Sequence, residues 1–290
     1  MNGFKYNSQS KYIQLLTVML LVQSLDSFGS KPWNLPQTRL HLSPQQLGSF
    51  ETLNITEKSA SRTRTATLYD WSTRNPIPFH DAWKFQQSIV EQHFLRIKEE
   101  TDQFHLEHGH GDTVLMLQHE PVYTLGTGSD PAFVLSGDVD VIRMDRGGEV
   151  TYHGPGQLVV YPILDLRGYH QDIHWYMRAL EEAILKALHK LGIDQAERQD
   201  QVTGVWIGNR KVAAIGIKVR RWITMHGLAV NVERSSLANF QGIVPCGLEG
   251  RNVTCINDWL EQPVTTAEFA EYMKESMEEI FCIHLLQKEH

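Results

Sequence analysis

Cysteine is scarce in this chain of 290 residues, and its three cysteines, Cys246, Cys255 and Cys282, all lie beyond residue 245. A small, odd number of cysteines argues against a disulfide framework and favours a reducing compartment. The chain has no Cys-x-x-Cys pair, and His153, His226 and Cys246 lack the spacing of a known ligand set. We therefore expect no metal site.

Long apolar runs and an excess of basic charge are also missing. The ten-residue apolar stretch at residues 13–22 is too short for a membrane span, which needs about 20 residues. Residues 1–66 hold seven Lys and Arg and three acids, which leaves 20 Lys and Arg against 31 Asp and Glu, a net charge of −11, in the remainder. Nucleic-acid binding needs a basic surface. We expect neither a nucleic-acid partner nor a stable membrane span in the mature chain.

The first 66 residues have the composition of targeting sequence. Basic residues precede the apolar stretch and small polar residues follow it, which is typical of a signal peptide over residues 1–30. Residues 31–66 have the Ser-rich, acid-poor composition of a transit peptide and are expected to be disordered. This two-part leader, with Phe28-Gly29 at the junction, resembles that of proteins imported into secondary plastids. We predict a plastid, with the mitochondrion as the alternative, and a folded catalytic domain over residues 67–290.

Hydrophobic periodicity predicts an α/β (α+β) fold. Apolar residues at helical spacing predict helices over residues 81–100 and 172–191, and Thr265 and Glu268 form a capping-box pattern for a closing helix. Strands are predicted over residues 113–117, 139–144, 158–161, 202–207, 211–219 and 228–232. Because strands, hairpins and helices alternate, we expect a mixed β-sheet flanked by helices.

Residues 146–162 (RGGEVTYHGPGQLVVYP) form the most informative segment. Four glycines stand among Arg, Thr, Tyr, His and Gln, and an apolar strand follows at once. Glycine lets the backbone approach a ligand closely. The run lacks both the Gly-Lys-Ser/Thr ending of a P-loop and the spacing of a dinucleotide-binding fingerprint. We predict a polar loop that is anchored to the core and presents a binding site.

Three more residues are candidates for chemistry. Lys211 opens an otherwise apolar strand, where it is either an exposed hairpin residue or a functional cation. His226 precedes a glycine at a strand start, where a structural role is common. Cys246 lies between Pro245 and Gly247, which favours an outward-facing thiol, and a neighbouring Lys or His would favour its thiolate. The other two cysteines have apolar or helix-end contexts typical of structural residues.

In this order, these segments resemble the octanoyltransferases of lipoic acid synthesis. The likeness runs from about residue 67 to residue 261. It is carried by QHEPVYTLG at 118–126, the run at 146–166, GVW at 204–206, KVAAIG at 211–216, HGLAVN at 226–231 and PCG at 245–247.

The resemblance implies transfer of an octanoyl group from octanoyl-acyl carrier protein to a lysine ε-amine of a lipoyl domain, the first step of protein lipoylation. Cys246 would be the nucleophile that forms an acyl-thioester. Lys211 would lower the pKa of Cys246 and act as general acid and base. The implied acceptors are lipoyl domains of 2-oxoacid dehydrogenase complexes and the glycine cleavage H protein, no cofactor is required, and the implied fold is that of biotin and lipoate protein ligases.

The same resemblance implies a set of substrate-binding residues. They are Arg146, Gly147, Gly148, Glu149, Val150, Thr151, Tyr152, His153, Ala214, Ile215, Gly216, Gly227, Leu228 and Ala229. An acidic carrier would dock on basic residues, for which Arg143, Arg146, Lys218, Arg220 and Arg221 are the candidates.

Three alternatives remain open. An ATP-dependent lipoate–protein ligase would share the fold and the target but would need no nucleophilic cysteine. A non-catalytic module that binds lipoyl domains would form no thioester. A hydrolase that pairs Cys246 with His153 or His226 would use water as the acceptor and give no amide product.

Overall fold

The computed structural model describes residues 64–98, 111–135, 137–199, 202–244 and 252–288. The predicted leader segments up to residue 63 lie outside the described residues, and so does Cys246. The first described strand starts at Arg64, three residues before the predicted domain boundary at Thr67.

A mixed sheet forms the centre of the described structure. Its strands are β1 Arg64–Asp70, β2 Thr113–Leu117, β6 Gln157–Ile163, β7 Ala196–Gln199, β8 Val202–Ile207, β9 Arg210–Arg220, β10 Ile223–Asn231, β11 Asn252–Val253 and β12 Ile283–Gln287. They follow the order β12-β1-β2-β6-β10-β9-β8-β7, and the short β11 pairs with β9. β1 runs parallel to β2 and β12, whereas β6, β8, β9 and β10 are joined by antiparallel pairs. The predicted mixed sheet is confirmed.

Helices cover both faces of this sheet. They are α1 Phe79–Lys98, α2 Ile173–Lys190 and α3 Thr266–Phe281. The side chain of Asp172 accepts two backbone N–H groups at the start of α2, and Thr265 and Glu268 form the predicted capping box of α3. α2 and α3 bury their apolar residues against one face of the sheet, and α1 packs on the other.

β6 is the central strand, and all seven of its residues are buried. Apart from Gln157, they form a continuous apolar run, which is expected of a strand that is covered on both faces. Its side chains divide between the two cores: Leu158 and Val160 pack towards α2 and α3, and Val159, Tyr161 and Ile163 pack towards α1. The predicted strand at residues 158–161 is confirmed, and it extends in both directions.

A second, three-stranded sheet differs from the prediction. It contains β3 Val122–Leu125, β4 Asp140–Arg143 and β5 Val150–His153, in the order β4-β3-β5. The Gly-rich run is therefore not one loop, because its middle four residues form β5 and pair with β3. The strand predicted over residues 139–144 is the shorter edge strand β4, whose residues are mostly exposed.

Candidate active site

A cavity of about 310 Å³ lies between β9 and β10 of the main sheet and the segment that leads into β5. Thirteen of the fourteen substrate-binding residues that were predicted line it: residues 146–151, His153, residues 214–216 and residues 227–229. Phe79 at the start of α1, Tyr161 of β6 and Lys211 of β9 also line it. The structure thus brings together predicted residues that lie up to 83 positions apart in the sequence, from Arg146 to Ala229.

Tyr152 is the exception among these residues. Side chains alternate between the two faces of β5, and Tyr152 lies with Val150 in the core of the small sheet. Its ring makes edge contacts with Tyr123 and Phe240, and its hydroxyl accepts a hydrogen bond from Asn239 Nδ2 at 3.0 Å. The structure places Tyr152 outside the cavity lining, where it supports β5.

Small residues of two adjacent strands form one wall of the cavity. Gly216 pairs with Gly227, and Ala214 pairs with Ala229, in the antiparallel register of β9 and β10. A Cβ atom at Gly227 would lie 2.2 Å from the carbonyl oxygen of Val160, so no larger residue fits there. The small residues leave the volume that larger side chains would fill.

Arg146 fastens the opposite wall. Its guanidinium donates to the carbonyl oxygens of Gly147, Thr124 and Glu149 at 2.7 to 2.9 Å, and to Thr124 Oγ1 at 2.9 Å. The backbone N–H of Gly147 then donates to the Ile217 carbonyl of β9 at 2.9 Å. Because Arg146 is buried and its guanidinium donates to backbone carbonyls, it is a structural clamp, which leaves Arg143, Lys218, Arg220 and Arg221 as the candidates for a carrier dock.

A β-bulge decides where Lys211 points. Val205 pairs with Ala213 but Trp206 pairs with Lys211, so two steps along β9 match one step along β8. Such a bulge re-aims the side chains that follow it. Val212 and Ala213 both pack into the core beneath α2 and α3. Lys211 therefore lines the cavity, with its Nζ atom 5.3 Å from the centre of the Trp206 ring.

His226 lies beside the ion pair of Asp145 and Lys218 at the edge of the cavity. It has a positive φ of 59° within β10, and its backbone N–H donates to Gln86 Oε1 of α1. Its Nε2 lies 3.2 Å from Asp145 Oδ1, and Lys218 pairs with the same carboxylate. Burial lowers the pKa of His226, whereas the hydrogen bond from His226 lowers the pKa of Asp145. A neutral His226 therefore donates to an ionised Asp145.

Two further histidines lie together beside the cavity. His119 Nδ1 donates to the Ile77 carbonyl, so its Nε2 accepts the Tyr161 hydroxyl at 2.7 Å. His153 Nδ1 donates to Gln157 Oε1 at 2.7 Å. Burial lowers the pKa of His119 to about 4 and that of His153 to about 3, the latter helped by the proximity of His119. Both imidazoles are neutral at physiological pH.

Three residues of the site, His119, Asp145 and Tyr161, were not predicted to have a role. His119 and Tyr161 lie within segments that carry the family likeness, which was the available signal. Asp145 has no such signal, because only the fold brings it to His226. Among the described residues, no group of three His, Cys, Asp or Glu is placed to hold a metal ion. Cys255 is buried and Cys282 is exposed at the end of α3.

Known proteins identify the family. The model of the lipoyl protein ligase A/B catalytic domain matches residues 79–278. An octanoyltransferase of Nostoc punctiforme is 44% identical over 217 residues, which cover 73% of this chain and 88% of the relative. This chain belongs to the lipoyl protein ligase A/B catalytic-domain family and, within it, to the octanoyltransferases. The octanoyltransferase LIP2p2, chloroplastic, of Arabidopsis thaliana is also 44% identical, over 189 residues that cover 64% of this chain and 65% of the relative.

Solved structures share the fold. A putative lipoate protein ligase from T. acidophilum superposes with a TM-score of 0.54 at 15% identity, covering 77% of this chain and 88% of that one. Lipoate-protein ligase A bound with ATP gives a TM-score of 0.54 at 16% identity, with coverage of 78% and 88%. The predicted family, fold class and acyltransferase class are confirmed. No helix among the described residues is long and apolar enough to cross a membrane.

Proposed function

We propose that this octanoyltransferase moves an octanoyl group from octanoyl-acyl carrier protein to a lysine ε-amine of a lipoyl domain. The observation that carries the proposal is a cavity of about 310 Å³ with walls of small residues and with Lys211 on its lining. This volume is at the lower end of the range for small-molecule sites, as a single short acyl chain requires. The acceptors would be lipoyl domains of 2-oxoacid dehydrogenase complexes and the glycine cleavage H protein.

The reaction would proceed in two transfers. In the first, the Cys246 thiolate attacks the thioester carbonyl of the donor, and the carrier thiolate leaves and takes a proton. In the second, the acceptor amine attacks the Cys246 thioester, an amide forms, the Cys246 thiolate leaves, and the amine loses a proton. Lys211 would supply the first proton and accept the second, which is the role of a general acid and base beside a nucleophilic thiolate.

The neighbouring groups suit this sequence of steps. The three neutral histidines beside the cavity add no positive charge that would hold an acceptor amine away. Arg146 fixes the carbonyls of Gly147 and Glu149, and the backbone N–H groups of Gly148 and Glu149 would face the oxyanion that develops in each transfer. The chemistry needs no nucleotide and no metal.

Intact mass spectrometry tests the proposal. The catalytic domain, mixed with octanoyl-acyl carrier protein, should gain one octanoyl group that hydroxylamine removes, and Cys246→Ser should gain none. Cys255→Ser is the matched control and should acylate normally, because Cys255 is buried. Adding a lipoyl domain should move the adduct to its lysine. If a lipoyl domain is modified only with ATP and free octanoate, and Cys246→Ser is fully active, the enzyme is a ligase.

We also propose a plastid as the site of action. A chloroplastic relative from Arabidopsis thaliana and several cyanobacterial relatives support this assignment. Residues 1–30 would direct entry as a signal peptide and residues 31–66 would act as a transit peptide. Fusion of residues 1–66 to a fluorescent protein should deliver it to plastids, and delivery to mitochondria would overturn the assignment.

A further inference from the structure

Glu181 is a buried carboxylate in the middle of α2, between the segments that carry the family likeness at residues 146–166 and 204–206. Only 1% of its surface is exposed, and its neighbours Leu180 and Ile184 pack in the main core. Its Oε2 accepts a hydrogen bond from Arg178 at 2.8 Å. Burying a carboxylate is costly unless every oxygen is paired, so its second oxygen deserves an explanation.

The second oxygen binds a backbone group of β8. Glu181 Oε1 accepts the N–H of Gly204 at 2.9 Å in a buried hydrogen bond. Gly204 lies in an irregular part of β8. The pairs that β8 forms with β9 begin only at Val205, and the register between β8 and β7 shifts between Glu197 and Gln199. Glu181 thus satisfies a backbone donor at the place where the sheet becomes irregular.

Gly204 supports the side chain of Lys211. Gly204 has a φ of +128°, and a Cβ atom there would lie 2.5 Å from Lys211 Cε, 3.3 Å from Lys211 Nζ and 2.6 Å from the carbonyl oxygen of Ala213. The aliphatic part of Lys211 therefore lies directly against the Gly204 backbone. Any shift of Gly204 moves the surface on which Lys211 rests.

We infer that Glu181 is a positioning residue that fixes the ammonium group of Lys211 through the backbone of Gly204. The bulge turns Lys211 towards the cavity, Gly204 leaves room for its stem, and Glu181 holds Gly204 in place. The inference rests on the proposed function, in which Lys211 transfers protons. A misplacement of about 1 Å in such a group lowers the rate by about 100-fold.

Four variants test the inference. Glu181→Leu removes the acceptor, and octanoyl transfer should fall by about 10- to 100-fold in kcat. Glu181→Gln keeps an acceptor for the Gly204 N–H and should restore most of the rate. Gly204→Ala should lower kcat to a similar extent. Gly208→Ala is the matched control, because Gly208 also has a positive φ in the same hairpin but a Cβ atom there would meet nothing within 4 Å.

A second readout distinguishes positioning from a purely structural role. The pH dependence of Lys211 acylation by an amine-reactive reagent, measured by peptide mass spectrometry, reports the surroundings of the ammonium group without any turnover. It should shift in Glu181→Leu and Gly204→Ala but not in Gly208→Ala. An unchanged labelling profile in the first two variants, or equal losses in Glu181→Gln and Glu181→Leu, would overturn the inference. Full activity of Lys211→Ala would instead overturn the proposed role of Lys211 in proton transfer. The labelling result for the Glu181 and Gly204 variants would still report how Lys211 is positioned.

Discussion

Replacing Arg146 tests whether the wall of the cavity depends on one side chain. Arg146→Met keeps the length of the side chain and removes four hydrogen bonds. Two of them serve Thr124, which is fully buried, and two serve carbonyls of Gly147 and Glu149, which are partly accessible to water. An unsatisfied buried acceptor costs about 1–3 kcal/mol. Leaving the two Thr124 oxygens without a donor should therefore lower the free energy of unfolding by about 2–6 kcal/mol. Because the variant no longer buries a cation, part of this loss is offset.

We expect a net loss of about 3 kcal/mol in the free energy of unfolding, which urea denaturation followed by tryptophan fluorescence would measure. Arg146→Lys should recover less than half of this loss, because an ammonium cannot serve several carbonyls in the fork geometry of a guanidinium. Arg143→Met is the control: Arg143 is exposed and contacts the Ser129 carbonyl at 3.4 Å, so its loss should stay within about 0.5 kcal/mol. Equal losses for the two Met variants would refute the clamp.

Three more predictions address the acyl chain, the histidines and the carrier. Ala214→Val adds two methyl groups to the wall and should shift preference from octanoyl towards shorter chains by about fourfold per CH₂ excluded, measured as kcat/KM for a donor series. Lowering the pH from about 6.5 to about 4 should destabilise the protein, because the pKa of His119 is lowered to about 4 and protonation favours the unfolded chain. His119→Asn should reduce that slope by about 1.4 kcal/mol per pH unit in urea denaturation, and a change as large in His174→Asn, at an exposed position, would contradict this account. Arg220→Glu combined with Arg221→Glu should raise KM for the acidic carrier protein at low salt but leave KM for a small thioester donor unchanged, and an unchanged carrier KM would exclude this dock.

The fold was predictable where hydrophobic periodicity is strong. The sequence of α2 has an apolar stripe, an N-terminal Asp172 and a terminating Gly192, and the helix lies within one residue of the prediction at each end. β2 has the bounds that its apolar run predicts. These elements are specified locally, by side chains that the helix or strand itself places on one face.

Elements that depend on distant partners were missed. β1 and β12 are held together by parallel pairing between two segments that lie more than 200 residues apart in the sequence. β5 lies inside a run whose glycines indicate a loop, and its strand pairing comes from β3, a partner in a segment to which no strand was assigned. Strand formation at these places follows from long-range hydrogen bonds, which local composition does not report.

Lys211 shows how far sequence reasoning can reach at the site. The chemistry of the residue and its place in the family motif identify it as a candidate, but strict alternation along β9 would put it on the same face as Ala213, in the core beneath α2 and α3. One extra residue in the pairing with β8 turns it to the cavity instead. Gly204 lies next to that bulge and against the stem of Lys211, and Glu181 binds its N–H from another element of the fold. The motif identifies Lys211 as the functional group, and tertiary contacts fix where its side chain points. Variants of Gly204 should therefore impair octanoyl transfer although Lys211 and the other residues of the site are unchanged.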